Sequence, residues 1–345
     1  MFSLLRNRRI DQRRFAIDDT RIATEQASVD VLLVQLNVQL EALRAYWRWV
    51  GAGEEVRVFE ELLEIAEARQ VGLARGVREG ARAAIALTEN EQNLLRRRTL
   101  LEESRRNLET AANSLSFFLR DSSGKLVVPQ REQLPPIAQL GKVPTADQLM
   151  ALPRNAVLER RPELRTLRLA NERAANRIEL RRNDLQPSLE GRAEVRQSIG
   201  PGPAGMPSFD RGTDTLVGLT FSVPLQRRDA RGRLARAEAE LRELELRERR
   251  IADQIEVEID NIITTLNAAV RLTSLANDEV KQANTMVQAE RNRFRLGAGD
   301  FFLVNLREEA AADAQIRAIR ADVSGRLAAA SYNAATINLA ELGLE

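Results

Sequence analysis

Hydrophobic and polar residues alternate in two rhythms along this chain. Apolar side chains return at Ile251, Ile255, Ile259, Ile262, Leu266 and Val270, and steps of three and four mark one face of a helix. Neither Gly nor Pro occurs between Arg233 and Leu296, a stretch of 64 residues, or roughly 96 Å of helix at ~1.5 Å per residue. The second rhythm begins near residue 187. Leu189, Gly191, Ala193, Val195 and Ile199 alternate there with Ser188, Glu190, Arg192, Glu194, Arg196 and Ser198. That is the period of a strand with one apolar and one charged face. After the loop 200–212, Val217, Leu219, Phe221 and Val223 line one face of a second strand. The pair predicts a β-hairpin over 187–224, with strands at 188–199 and 214–224.

Proline divides the rest. All eleven prolines lie between Pro129 and Pro224, and proline breaks helix interiors. Two proline-free arms therefore flank a proline-bearing middle. Residues 7–120 predict one helical hairpin and residues 225–345 a second, its last helix running from about Phe302 to Leu342. Residues 121–160 predict an irregular segment with one short helix at 145–151 capped by Thr145. Residues 161–186 predict a lead-in helix that starts at Pro162, where proline is favourable.

Each arm is interrupted once by glycine. Gly297 and Gly299 each cost about 1 kcal/mol in a helix interior, so they predict a reversal near 296–300. Gly takes the left-handed conformation that ends a helix, and Asp300 suits the N-cap of the next one. The first arm bends near 76–83. Placing Gly80 and Ala81 on Gly297 and Ala298 gives an offset of 217, which also sets Ile85 on Phe302, Leu87 on Val304 and Glu91 on Glu308. "LLRNRR" (4–9) resembles "PLQRRD" (224–229) at an offset of 220. The arms read as two copies of one unit.

Composition removes most chemistry. The chain has no Cys and no His, which excludes disulfides, thiolate nucleophiles, imidazole bases and nearly every transition-metal site. No phosphate-binding loop or nucleophile–base pair is present, so the reading is not an enzyme and needs no cofactor. The net charge is +2 with 30% charged residues. Acids interleave with arginines, as in "RAEAELRELELRERR" (236–250), the pattern of a solvated helix face, and this argues against nucleic acid. No apolar run reaches the ~20 residues of a membrane helix. The strand pair, by contrast, has the length that crosses a bilayer when tilted in a barrel. It also fits a soluble hairpin resting on the helices. Tyr46, Trp47 and Trp49 form an aromatic knot that reads as helix packing.

Several motifs then line up, in order, with one family. "RPELRTLRLANERAANRIELRRNDLQPSL" resembles the helix-to-strand passage of TolC-type outer-membrane efflux and export channels. "GLTFSVPLQRRDARGRLARAEAEL" resembles their strand-to-helix exit, and "ERNRFRLGAGDFFLVNLREEAAA" their second periplasmic hairpin tip. The resemblance implies a mainly α chain. It has two long antiparallel helical hairpins and a β-hairpin that joins a transmembrane barrel shared by a homotrimer. It implies a passive exit duct across periplasm and outer membrane, in a tripartite efflux or type I secretion system. The partners would be outer-membrane lipid, a periplasmic adaptor and, through it, an inner-membrane pump.

The resemblance places the tip residues Arg78, Gly80, Ala81, Arg82, Arg295, Gly297, Ala298, Gly299 and Asp300 against the adaptor. Arg75, Arg78, Arg82, Arg293 and Arg295 would pair with partner acids or stay solvated. Some members carry acids just inside the second tip. The positions compared here, Leu303 and Leu306, are apolar, leaving Glu89, Glu91, Glu308 and Glu309 as candidate entrance acids along with Asp300. Residues 1–6 read as the remnant of a barrel strand. The repeat then predicts that a counterpart of 161–220, and a signal peptide, precede Met1 in the full protein. Two other readings compete: a soluble coiled-coil scaffold, and a periplasmic adaptor. Adaptors usually flank one helical hairpin with halves of a β-domain, the reverse of the order here.

Overall fold

The computed structural model describes residues 2–136, 140–149, 153–197 and 213–343. It is mainly helical and contains one small antiparallel sheet. The chain forms two compact units, one of residues 1–33 and 162–254, the other of residues 34–161 and 255–345. Two long helices, α1 (Gln12–Arg78) and α6 (Arg228–Arg295), contribute a segment to each.

The first unit holds the sheet. Strand β2 (Ser188–Gln197) pairs with β3 (Thr213–Ser222), and β1 (Phe2–Ser3) pairs with the other edge of β2. Predicted strand residues 198–199 and the loop 200–212 lie outside the described residues. In this register Leu189 faces Phe221, Gly191 faces Leu219 and Ala193 faces Val217, while Phe2 falls beside Gly191. One face is therefore apolar, and its side chains are open: Val217 is 79% and Leu219 73% exposed. The other face carries Glu190, Arg192, Glu194 and Arg196, and Glu194 pairs with both arginines. The hairpin does not rest its apolar side on helices. Below the sheet, helix α5 (Pro162–Asn183) packs Leu169 against Ile22 and Val29 of α1. Asn7, at φ 65°, and Asn183 exchange hydrogen bonds of 2.8 and 2.9 Å.

The second unit is a bundle of the remainder of α1 and α6 with α2 (Ile85–Ser116) and α7 (Phe301–Ala335). Helix α2 buries two columns at seven-residue spacing: Leu94, Leu101, Leu108 and Leu115, and beside them Asn90, Arg97 and Ser104. The leucine column meets Trp49, Val50 and Val56. Trp49 is buried, and Tyr46 stands edge-on to Trp47 at 5.0 Å. The middle segment crosses this bundle. A Cβ on Gly53 would lie 2.4 Å from Leu134, and one on Gly325 2.6 Å from Val143, so glycine in mid-helix admits the crossing chain. Arg326 fixes it by donating to the carbonyls of Leu140 and Gly141.

Three boundaries differ from expectation. Helix α3 spans Ala146–Leu149; Met150 and Ala151 lie outside the described residues. A second short helix, α4 (Arg154–Arg160), fills what read as irregular chain. Arg161 then turns extended because the residue before a proline is pushed out of the helical region, and α5 starts afresh at Pro162. The last predicted helix is broken. Helix α7 stops at Ala335 in a reversal whose left-handed residue is Ile337, at φ 55°. Asn338 N–H donates to Asn333 and Ile337 N–H to Ala334, the bonding of a glycine-ended helix carried out by a β-branched residue. Helix α8 (Leu339–Leu342) follows.

Candidate functional site: the paired hairpin bends

The two bends share one backbone. Gly80 and Gly297 stand at φ 71° and 76°. Gly80 N–H donates to Val77 O (3.1 Å) and Ala81 N–H to Gly76 O (2.8 Å). Gly297 N–H donates to Phe294 O (3.1 Å) and Ala298 N–H to Arg293 O (2.9 Å). Every residue in the second set is 217 positions after its counterpart. Both are the double-bonded reversal in which a left-handed residue satisfies the last helical carbonyls. The second glycine of the later bend answers to crowding instead. A Cβ on Gly299 would lie 2.7 Å from Phe294 N, closer than a Cβ can approach backbone.

Beyond the glycines the copies diverge. Asp300 caps α7, its carboxylate accepting from Phe302 N–H at 3.1 Å. Ala84, the cap of α2, offers no side-chain hydrogen bond. Phe294 and Phe301 stack across the second bend with centroids 6.0 Å apart. Arg82, from the first bend, lies over the Phe294 ring at 4.3 Å, and Arg69 lies over Phe301 at 5.4 Å. These cation–π contacts set the bends side by side. Arg78, Gly80, Ala81, Arg82, Arg295, Gly297, Ala298 and Asp300 are exposed, and Gly299 is half-buried.

The candidate acids separate. Glu89 and Glu91 are exposed, and Glu309 pairs with Arg96 at 3.1 Å. Glu308, unlike Glu89 and Glu91, is buried: its side chain is 1% exposed, inside the bundle. Three arginines from three other helices surround it. Arg97 of α2 reaches one carboxylate oxygen at 3.0 Å, while Arg69 of α1 and Arg291 of α6 share the other. Asn305 also accepts from Arg69. Burial pushes the Arg69 guanidinium below its ordinary value, against the pull of Glu308. A single acid thus ties α1, α2, α6 and α7 together just behind the bends. Sequence reasoning missed Arg69, Arg97 and Arg291. The available signal was Arg97 itself, on the same α2 face as Asn90 and Ser104. Leu303 is half-buried and Leu306 is 47% exposed.

Solved structures with this fold include outer-membrane channels. Over 94% of the chain it superposes on the outer-membrane channel OprN with a TM-score of 0.77 at 17% identity, covering 71% of that chain. VceC of Vibrio cholerae gives 0.72 at 16% identity, over 96% of this chain and 76% of that one. The open state of the MtrE channel of Neisseria gonorrhoeae gives 0.73 at 15%, over 94% and 71%. No curated protein matches the sequence closely enough to count as a relative. The family model for outer membrane efflux proteins matches residues 154–342, more than half of the chain, and the chain belongs to that family. It is a family of efflux ducts rather than of enzymes.

Proposed function

We propose that this chain is a subunit of a trimeric outer-membrane channel, the passive exit duct of a tripartite efflux or type I secretion system. The observation that carries this reading is the sheet. Its apolar face, with Phe2, Val195, Val217, Leu219 and Phe221, is exposed, while its opposite face is charged. One side suits lipid and the other a water-filled lumen. Its two outer edges are unpaired among the described residues, and lipid does not tolerate unpaired backbone. Further strands, from other copies of the chain, would complete a barrel. The paired bends are the docking surface for a periplasmic adaptor. Exposed Arg75, Arg78, Arg82 and Arg295 meet its acids there, and the small residues Gly80, Ala81, Gly297 and Ala298 allow close backbone approach. An inner-membrane pump lies beyond the adaptor.

The test is conductance of detergent-purified protein in planar bilayers, with cross-linking to count subunits. Discrete channel steps from a trimeric species are expected. Folded trimers that carry no current would overturn the duct. A folded chain that never enters the bilayer and stays monodisperse without detergent would favour a scaffold.

A further inference from the structure

The arginines that interleave with acids along most of the chain outnumber them at two of the three places where helices meet the sheet; at the third, the end of α5, Glu179 and Asp184 pair with Arg182 and Arg181. Residues 1–14 hold five arginines against the single acid Asp11, and residues 224–236 hold five against Asp229. The sheet register brings these segments together. Leu4 N–H donates to Leu189 O, Arg6 N–H to Pro187 O, and Ser222 pairs with Ser188. The ends of all three strands are therefore level, at the usual ~4.8 Å between neighbouring strands. Some of this charge is neutralised: Arg6 pairs with Asp184, Arg14 with Asp11 and Arg233 with Asp229. Arg8, Arg9, Arg13, Arg228, Arg231 and Arg236 are exposed and make no ion pair among the described residues.

Apolar side chains stand directly above this belt. Leu4 and Leu5 are 43% and 42% exposed and Leu225 is 93% exposed. The arrangement recurs in both copies of the repeat: Leu5 precedes Arg8 by three residues, as Leu225 precedes Arg228. An exposed leucine over an unpaired arginine, at the margin of an apolar sheet, is the order of groups met on passing from acyl chains to headgroups. Long arginine side chains reach such an interface with their stems in apolar surroundings, and cationic residues there attract anionic lipid.

We infer that this arginine belt is a docking surface for anionic phospholipid headgroups, in the bilayer leaflet on the helical side of the sheet. The inference rests on the membrane placement of the sheet proposed above. Nucleic acid, the other polyanion, fits less well, because the belt is bounded by exposed leucines rather than by further polar surface.

The purified full-length chain is floated with phosphatidylcholine vesicles and with vesicles that also contain phosphatidylglycerol, at matched ionic strength. Protease protection of the sheet is scored in both. The belt is altered in the triple variants R8Q/R228Q/R231Q and R8K/R228K/R231K. The wild type and the lysine variant are expected to prefer the anionic vesicles. At about fivefold per arginine near a charged surface, the glutamine variant should lose tenfold or more of that preference while still entering phosphatidylcholine. If the glutamine variant keeps the full preference, the belt is not a lipid site, although the membrane placement stands. If the wild type leaves its sheet unprotected in both vesicles, the membrane placement fails and the inference with it. Complete competition by soluble glycerol phosphate, preference for lipid A vesicles alone, or tighter binding to duplex DNA would each reassign the belt and overturn the inference.

Discussion

Replacing Glu308 with glutamine tests whether the buried acid holds the second unit together. Glutamine keeps the shape and one acceptor oxygen but removes the negative charge that three guanidiniums share. Breaking a buried pair by taking one partner away costs about 3–5 kcal/mol, because the remaining charge is left uncompensated. Here the three cations differ in their access to water. Arg97 is 1% exposed and Arg69 13%, while Arg291, at 33%, can swing outward. Two stranded guanidiniums place the cost of Glu308→Gln within that range. For a unit of this size, 1 kcal/mol moves Tm by roughly 2–4 °C, so a fall of roughly 6–20 °C is expected.

The assay is available in the protein. Both tryptophans, Trp47 and Trp49, lie in the second unit, so urea unfolding followed by tryptophan fluorescence reports on that unit. A loss under about 1 kcal/mol would show that the node contributes no more than an exposed pair. A double-mutant cycle sharpens the test. Arg97→Met removes the one cation with no route to water, so R97M/E308Q should be more stable than the sum of its single variants by about 1 kcal/mol or more. Strict additivity would refute the coupling.

Gly297→Ala, with open space around its Cβ but a left-handed φ, should cost about 1–2 kcal/mol, whereas Gly299→Ala must displace backbone and should cost more; chemical denaturation of both variants checks the order. Asp300→Ala should remove about 1 kcal/mol through its lost cap, read as faster hydrogen exchange confined to the first turn of α7. In the first unit, hydrogen bonds from Arg173 hold the Asp19 carboxyl below its ordinary 3.8. A depressed folded-state pKa gives stability that is complete above the unfolded value and is lost as pH falls through the folded one. The urea midpoint, followed by far-UV circular dichroism, should therefore drop below about pH 4, and Arg173→Gln should flatten that drop.

The elements written into this sequence are those set by local constraint. The bends could be placed because a left-handed position admits glycine, and the strands because a two-residue period survives only in extended chain. Ile337 shows the limit of that logic. Its helix ends in the same bonding as the bends, yet nothing local marks an isoleucine as left-handed. The crossing of Leu134 over Gly53 was equally hidden, since a glycine in mid-helix reads as a penalty until the chain that needs the space is known.

Glu308 shows why the repeat predicted backbone better than chemistry. Its counterpart at the 217 offset, Glu91, is exposed. The partners explain the difference. The positions equivalent to Arg69, Arg97 and Arg291 are Met286, Ala314 and Ala74, so the three cations that bury Glu308 have no counterparts around Glu91. Both repeats carry the same bend, because its bonds run from main chain to main chain and ask only for a residue that tolerates positive φ. A four-helix charge node asks for four particular side chains, on four helices, and of the two repeat-related acids only Glu308 has its partners at these positions. The asymmetry predicts that Glu91→Gln, unlike Glu308→Gln, leaves the stability of the second unit unchanged within about 0.5 kcal/mol; a comparable loss from both would mean that neither the burial of Glu308 nor its three arginines is the source of the stability.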